Sequence, residues 1–130
     1  MMKIGELPMD MQSLLGQIAM DSGKIRFRDR GDGERFKEID LPLEMVPLSK
    51  FPAVIPGQHP EDERRFEDYL DTPIEEFPPV VVAHGYWIDG RHRVWAARVY
   101  NAESIQTIDA SRIFGKKDIK RWKFLGRMRT

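Results

Sequence analysis

Asp89-Gly90-Arg91-His92-Arg93 gathers the side chains of this chain most able to do chemistry. An apolar run, Tyr86-Trp87-Ile88, stops at Asp89-Gly90, and the stretch from Arg91 to Asn101 reads as a helix. The first turn of a helix points unpaired backbone N–H groups outward and carries partial positive charge, so it is a ready seat for a phosphate. Arg91, His92 and Arg93 oppose that dipole and call for a compensating anion, from the protein or from a ligand. On a wheel of about 100° per residue, Trp95, Ala96, Ala97, Val99 and Tyr100 form one broad sector that takes in His92 and Arg93. Arg91, Arg98 and Asn101 lie opposite, with Val94 among them. This phase predicts Arg91 in solvent and His92 and Arg93 at the helix mouth. A plainer role suits the same residues: Asp89 caps the helix and the arginines pair with nearby carboxylates.

Gly90-x-x-Arg93-x-x-Ala96-Ala97, after an extended run and before a short helix, resembles the phosphate-binding box of the ParB/sulfiredoxin superfamily. Pro78-Pro79-Val80-Val81-Val82 is similar to the strand before that box, and Glu103 to Ile108 to the strand after its helix. Ile39 to Leu43 and Val46-Pro47-Leu48 resemble its opening strand. The resemblance implies an α+β fold, a small mixed sheet with flanking helices, over about residues 38–110. It also implies a nucleotide ligand, ATP or CTP, with Mg²⁺. Gly90 would let the backbone approach a phosphate, and the N–H groups near Arg91 and His92 would cradle it. His92 and Arg93 would donate charge-assisted hydrogen bonds, and Asp89 would orient Mg²⁺ or a water. Arg64 or Arg65, on the preceding helix, would approach the phosphates. The catalytic candidates are thus Asp89 and His92, and the nucleotide-binding candidates Gly90, Arg91, His92 and Arg93.

Two departures narrow the chemistry. Sulfiredoxins carry a catalytic Cys between the Gly and the His-Arg pair; here Arg91 stands there and the chain has no Cys. Thiolate chemistry needs the sulfur, which excludes sulfiredoxin activity. ParB proteins carry Glu-Arg-Arg after the Gly; here the triplet is Arg91-His92-Arg93 and the acid is displaced to Asp89. They also carry a helix-turn-helix domain after the box domain, which this chain is expected to lack. The activities the resemblance leaves are phosphodiester cleavage, nucleotide hydrolysis and phosphoryl transfer. The alternative is a catalytically inactive module, of the kind mobile elements encode, that binds DNA or a protein partner.

The elements that must position the box are legible at intervals. Met9 to Met20 repeats apolar residues at helical spacing. Lys24 to Arg28 alternates like a strand, and Gly31-Asp32-Gly33 signals a turn within 29–34. Phe36 to Leu48 reads as extended, broken by Pro42 and Pro47, and Phe51 to Pro60 as a loop. Pro60 to Leu70 reads as a helix whose acidic start, Glu61-Asp62-Glu63, suits the dipole. Val80 to Ala83 and Tyr86 to Ile88 read as paired strands around His84-Gly85, and Ile105 to Ile108 as another strand. Phe114 to Phe124 reads as a terminal helix with Ile119 and Trp122 on one face. His59 and His84 match no ligand spacing and read as loop residues. The expected division is an N-terminal helix and hairpin extension over 1–37, the box domain over 38–111 and a basic segment over 112–130.

Composition bounds the setting. The 130 residues suit one domain, and the absence of Cys excludes disulfides and Cys-based zinc sites. No apolar run approaches the length of a membrane span, and the expectation is a cytoplasmic protein that does not engage a membrane. Formal net charge is zero but unevenly spread. Residues 112–130 hold eight Lys/Arg and one acid, Asp118, so that segment is +7 and the rest of the chain −7. It suits either a nucleic-acid partner or docking on the chain's own acidic body.

Overall fold

Met11, Leu15, Ile18 and Ala19 recur at helical spacing, and all four are buried on one side of α1 (Met9–Asp21). They are seen in a computed structural model that describes residues 1–53, 62–121 and 124–130. Upstream of α1, β1 (Met2–Lys3) pairs antiparallel with β2 (Asp40–Leu41). This short ladder ties the N-terminus to the chain just before the main sheet.

Between them lies α2 (Arg30–Lys37), where the Gly-Asp-Gly signal predicts a turn and Phe36 an extended start. Two glycines weaken a helix by about 1 kcal/mol each. Capping overrides them: Asp29 accepts the Asp32 N–H at 3.0 Å, and the Asp32 carboxylate accepts the Arg28 N–H at 2.9 Å. Arg35 also pairs with Asp32. Phe36 is then buried and meets Phe27 edge-on at 5.1 Å. The predicted strand over 24–28 does not form. Ile25 and Phe27 do pack on the core as their alternation suggests, but among the described residues no strand pairs with them.

The central sheet has five strands in the order β3 (Leu43–Pro47), β6 (Ser104–Asp109), β4 (Val80–Ala83), β5 (Tyr86–Asp89) and β7 (Gly126–Arg127). Its β4–β6 pair is parallel and the others antiparallel, so the sheet is mixed. The β4–β5 hairpin turns through His84 at φ 51° and Gly85 at φ 80°, as the positive-φ residues of a tight hairpin require. Its register shifts between Val81 and Val82, which sets Asp89 opposite Val81.

Alternating strand residues feed two cores. Val81, Ala83, Ile88 and Ile108 pack with α1 and Phe36 on one face. Val80, Trp87 and Ile105 pack on the other with Leu48, Phe51, Phe77 and the buried residues of α4 (Arg91–Val99). The protein is thus a mixed α/β fold with helices on both faces of one sheet. Helix α3 (Asp62–Leu70) lies against α4 through Phe66, whose ring is 4.4 Å from Trp95.

The predicted terminal helix over 114–124 is replaced by a 3-10 segment at Lys116–Arg121 and then β7. Gly115 disfavours a helix there, and the free edge of β5 offers backbone partners instead. Ile113, Phe114 and Ile119 are nonetheless buried in the first core. His59, Pro60, Glu61 and Trp122 lie outside the described residues. Among the described residues, no helix is long and apolar enough to cross a membrane.

Candidate functional site

Strand β5 delivers the chain to Gly90, which adopts φ 110°, ψ 23° and is the residue from which α4 starts. This left-handed geometry suits glycine alone among the common residues. Space is as restrictive: a Cβ would lie 3.0 Å from both Val80 methyl groups and 3.1 Å from Arg93 Nη2. Asp89 stands one residue before the cap position, which Gly90 holds. The Asp89 carboxylate pairs with Arg93, Nη2 donating to Oδ2 at 3.1 Å across one helical turn.

A cleft of about 330 Å³ opens at this helix start. The box contributes Asp89, Gly90, His92 and Arg93 to its wall. Helix α3 contributes Arg65, Asp68 and Tyr69, and α1 contributes Asp10. Among the described residues, three carboxylates therefore face two guanidiniums and an imidazole. Arg93 is the buried centre, only 6% exposed, while the Asp89 side chain is 39% exposed. Arg93 Nη1 points at the Tyr69 hydroxyl at 3.5 Å and at the Met11 sulfur at 3.9 Å. Arg93 Nε is buried and finds no acceptor among the described residues. A buried donor left unpaired costs about 1–3 kcal/mol, so such groups are rare without a reason.

The His92 ring packs against Phe66 at 4.7 Å, which fixes it on the α3 side of the cleft. Arg91 is half-buried beside the cleft but does not line it. Of the two α3 arginines, Arg65 lines the cleft and Arg64 does not. Asp89, Gly90, His92 and Arg93 thus share one cleft wall.

The predicted helix phase needs correction. Val94, placed toward solvent by the wheel, is fully buried, and Val99, placed in the apolar sector, is 50% exposed. Arg98 also faces protein, its guanidinium donating to the carbonyls of Leu48, Phe51 and Pro52 at 2.8–3.1 Å. Burial lowers the Arg98 pKa, with nearby Arg129 adding to the effect. Three cleft residues, Asp10, Asp68 and Tyr69, escape the sequence reading. Tyr69 sits in the α3 apolar stripe and carries no signal of its own, and Asp10 arrives from a distant helix.

Among the described residues, no three His, Asp or Glu side chains group in a way that could hold a metal ion. No family model, no curated protein and no solved structure matches this chain.

Proposed function

We propose that the cleft at the start of α4 binds the phosphate end of a nucleotide, ATP or CTP, and that the chain is a ParB/sulfiredoxin-like domain stripped of thiol chemistry. The observation that carries this reading is Arg93: a buried guanidinium on a polar cleft, at a helix N-terminus, with Nε unpaired among the described residues. A phosphate oxygen would supply the missing acceptor. The left-handed Gly90 at the N-terminus of α4 supports the same seat. Among the described residues, the cleft sets three carboxylates against two guanidiniums and an imidazole, so a polyphosphate would enter as its Mg²⁺ complex. Magnesium habitually takes most of its ligands from phosphates and water. Asp89, half-exposed at the cleft, would orient a water or the hydrated ion, and His92 would donate to a phosphate oxygen. These are the groups for hydrolysis or transfer of a phosphoryl group.

The Asp89–Arg93 ion pair favours a second reading, in which the box is purely structural and the domain a regulatory or DNA-associated module. Thermal-shift measurement with ATP, CTP, GTP and ADP, with and without Mg²⁺, separates the two. At least one nucleotide should stabilise the protein. Calorimetric titration of Arg93→Ala should then show affinity reduced at least tenfold, since a charge-assisted hydrogen bond is worth about 1.5–3 kcal/mol. No stabilisation by any nucleotide, or undiminished affinity in Arg93→Ala, would leave the structural reading standing.

A further inference from the structure

Away from the cleft, the far end of β5 carries a second chemical cluster. Tyr86, its first residue, pairs across the ladder with Arg127 of β7. The Arg127 guanidinium lies over the Tyr86 ring at 5.4 Å and donates to its hydroxyl at 3.0 Å. Phe124 packs edge-on to Tyr86, ring centroids 4.8 Å apart, and is 40% exposed. Leu125 beside it is also exposed. An exposed Phe held edge-on against a half-buried Tyr that an Arg also engages leaves a ring face at the sheet edge open to a flat partner.

The charge around the cluster says what that is. Across residues 112–130, the one acidic side chain, Asp118, is buried. Arg112, Lys116, Lys117, Arg127 and Arg129 are exposed. The described surface of this segment is therefore cationic, with Phe124 as its exposed ring. Cations that follow a phosphate backbone and rings that accept a base face make up the chemistry of single-strand recognition. Duplex DNA offers the same phosphates but keeps its bases stacked, so rings would gain nothing from it.

We infer that the β5–β7 edge, with Phe124, Tyr86 and Arg127 at its centre, is a binding surface for single-stranded nucleic acid. A base stacks on the open side of Phe124, Arg127 neutralises a phosphate while it holds Tyr86 in place, and Arg129, two residues on, extends the contact along the backbone. The inference does not depend on nucleotide binding at α4, which lies at the other end of β5.

Fluorescence anisotropy with a labelled oligothymidylate of about 20 nucleotides, alone and annealed to oligoadenylate, tests it on the full chain. The single strand should bind more tightly than the duplex, and its affinity should fall with salt. Phe124→Ala should weaken single-strand binding by about fivefold to a hundredfold, the range of one lost stacking contact, and Phe124→Trp should retain it. Arg127→Ala should flatten the plot of log K against log salt by about 0.7, one phosphate contact. Arg30→Ala, an exposed cation on α2, should leave binding unchanged. Melting curves of each variant establish that it is folded, and Phe124, being exposed, can be replaced without emptying a core. The inference is overturned by an absence of single-strand binding at low salt, or by equal affinity for the duplex. It is equally overturned if folded Phe124→Ala binds like wild type, or if Arg30→Ala costs as much as Arg127→Ala.

Discussion

Gly90 is the residue on which the geometry of the α4 start depends most directly. At φ 110° any L side chain strains the backbone, and the same Cβ would press on Val80 and Arg93. Gly90→Ala should therefore destabilise the protein by about 1–3 kcal/mol and move Arg93 off Asp89. Urea unfolding reads the first effect; an undisturbed midpoint would mean the turn has more freedom than its geometry shows. The neighbouring cations divide by position. His92 lines the cleft and Arg91 does not, so His92→Ala should weaken nucleotide binding more than Arg91→Ala. Calorimetry on both variants giving the reverse order would place the ligand on the Arg91 side of the helix start.

Elements differ in how openly they declare themselves. Val80–Ala83, Tyr86–Asp89 and Ser104–Asp109 are dense in β-branched and aromatic residues and form the strands expected, because each is buried where it lies. Helix α2 hides behind Gly31 and Gly33, its cause being side-chain capping that a turn signal masks. The depressed Asp32 carboxyl follows from that capping. The Arg28 N–H, and next the Arg35 guanidinium, lower its pKa from 3.8 to about 2. The folded protein thus keeps this group charged at a pH where the unfolded chain would protonate it. Its stabilising contribution is full above about pH 5 and is lost as pH falls through about 2. Asp32→Asn should melt lower than wild type at pH 7 and lose less of its melting temperature between pH 5 and 2. Circular dichroism melts that fall in parallel for both proteins would show that Asp32 contributes nothing to the acid limb. The box on α4 was legible as far as its own residues reach. Its helix phase was not, because the wheel cannot know that Arg98 finds the carbonyls of Leu48, Phe51 and Pro52 and so turns inward with Val94. Asp10 and Tyr69 join the cleft only by tertiary packing, which no local pattern encodes.

At the scale of the whole molecule, the sheet is closed on one face by residues drawn from both chain ends. The core beneath α1 takes Ile4 and Leu7 from the N-terminus and Ile113, Phe114 and Ile119 from the basic segment. That segment is fastened at three further points: the His84 ring donates to the Phe114 carbonyl, the Ser22 hydroxyl donates to the Ile113 carbonyl at 3.3 Å, and β7 extends the sheet beside β5. Its charge invites the picture of a free arm, but its apolar residues oppose that picture. Burial of a large apolar side chain is worth about 1.5–3 kcal/mol, and three of them together approach the entire stability of an ordinary domain, about 5–15 kcal/mol. Truncation after Ser111 should therefore abolish cooperative unfolding, not merely remove the cationic surface. Point variants at Phe124 and Arg127, which lie outside that core, should leave the melt intact. Calorimetric scans of the truncated chain decide the matter. A cooperative transition within a few degrees of wild type would mean that residues 112–130 only rest on the domain, and that the sheet and its helices close their core without them.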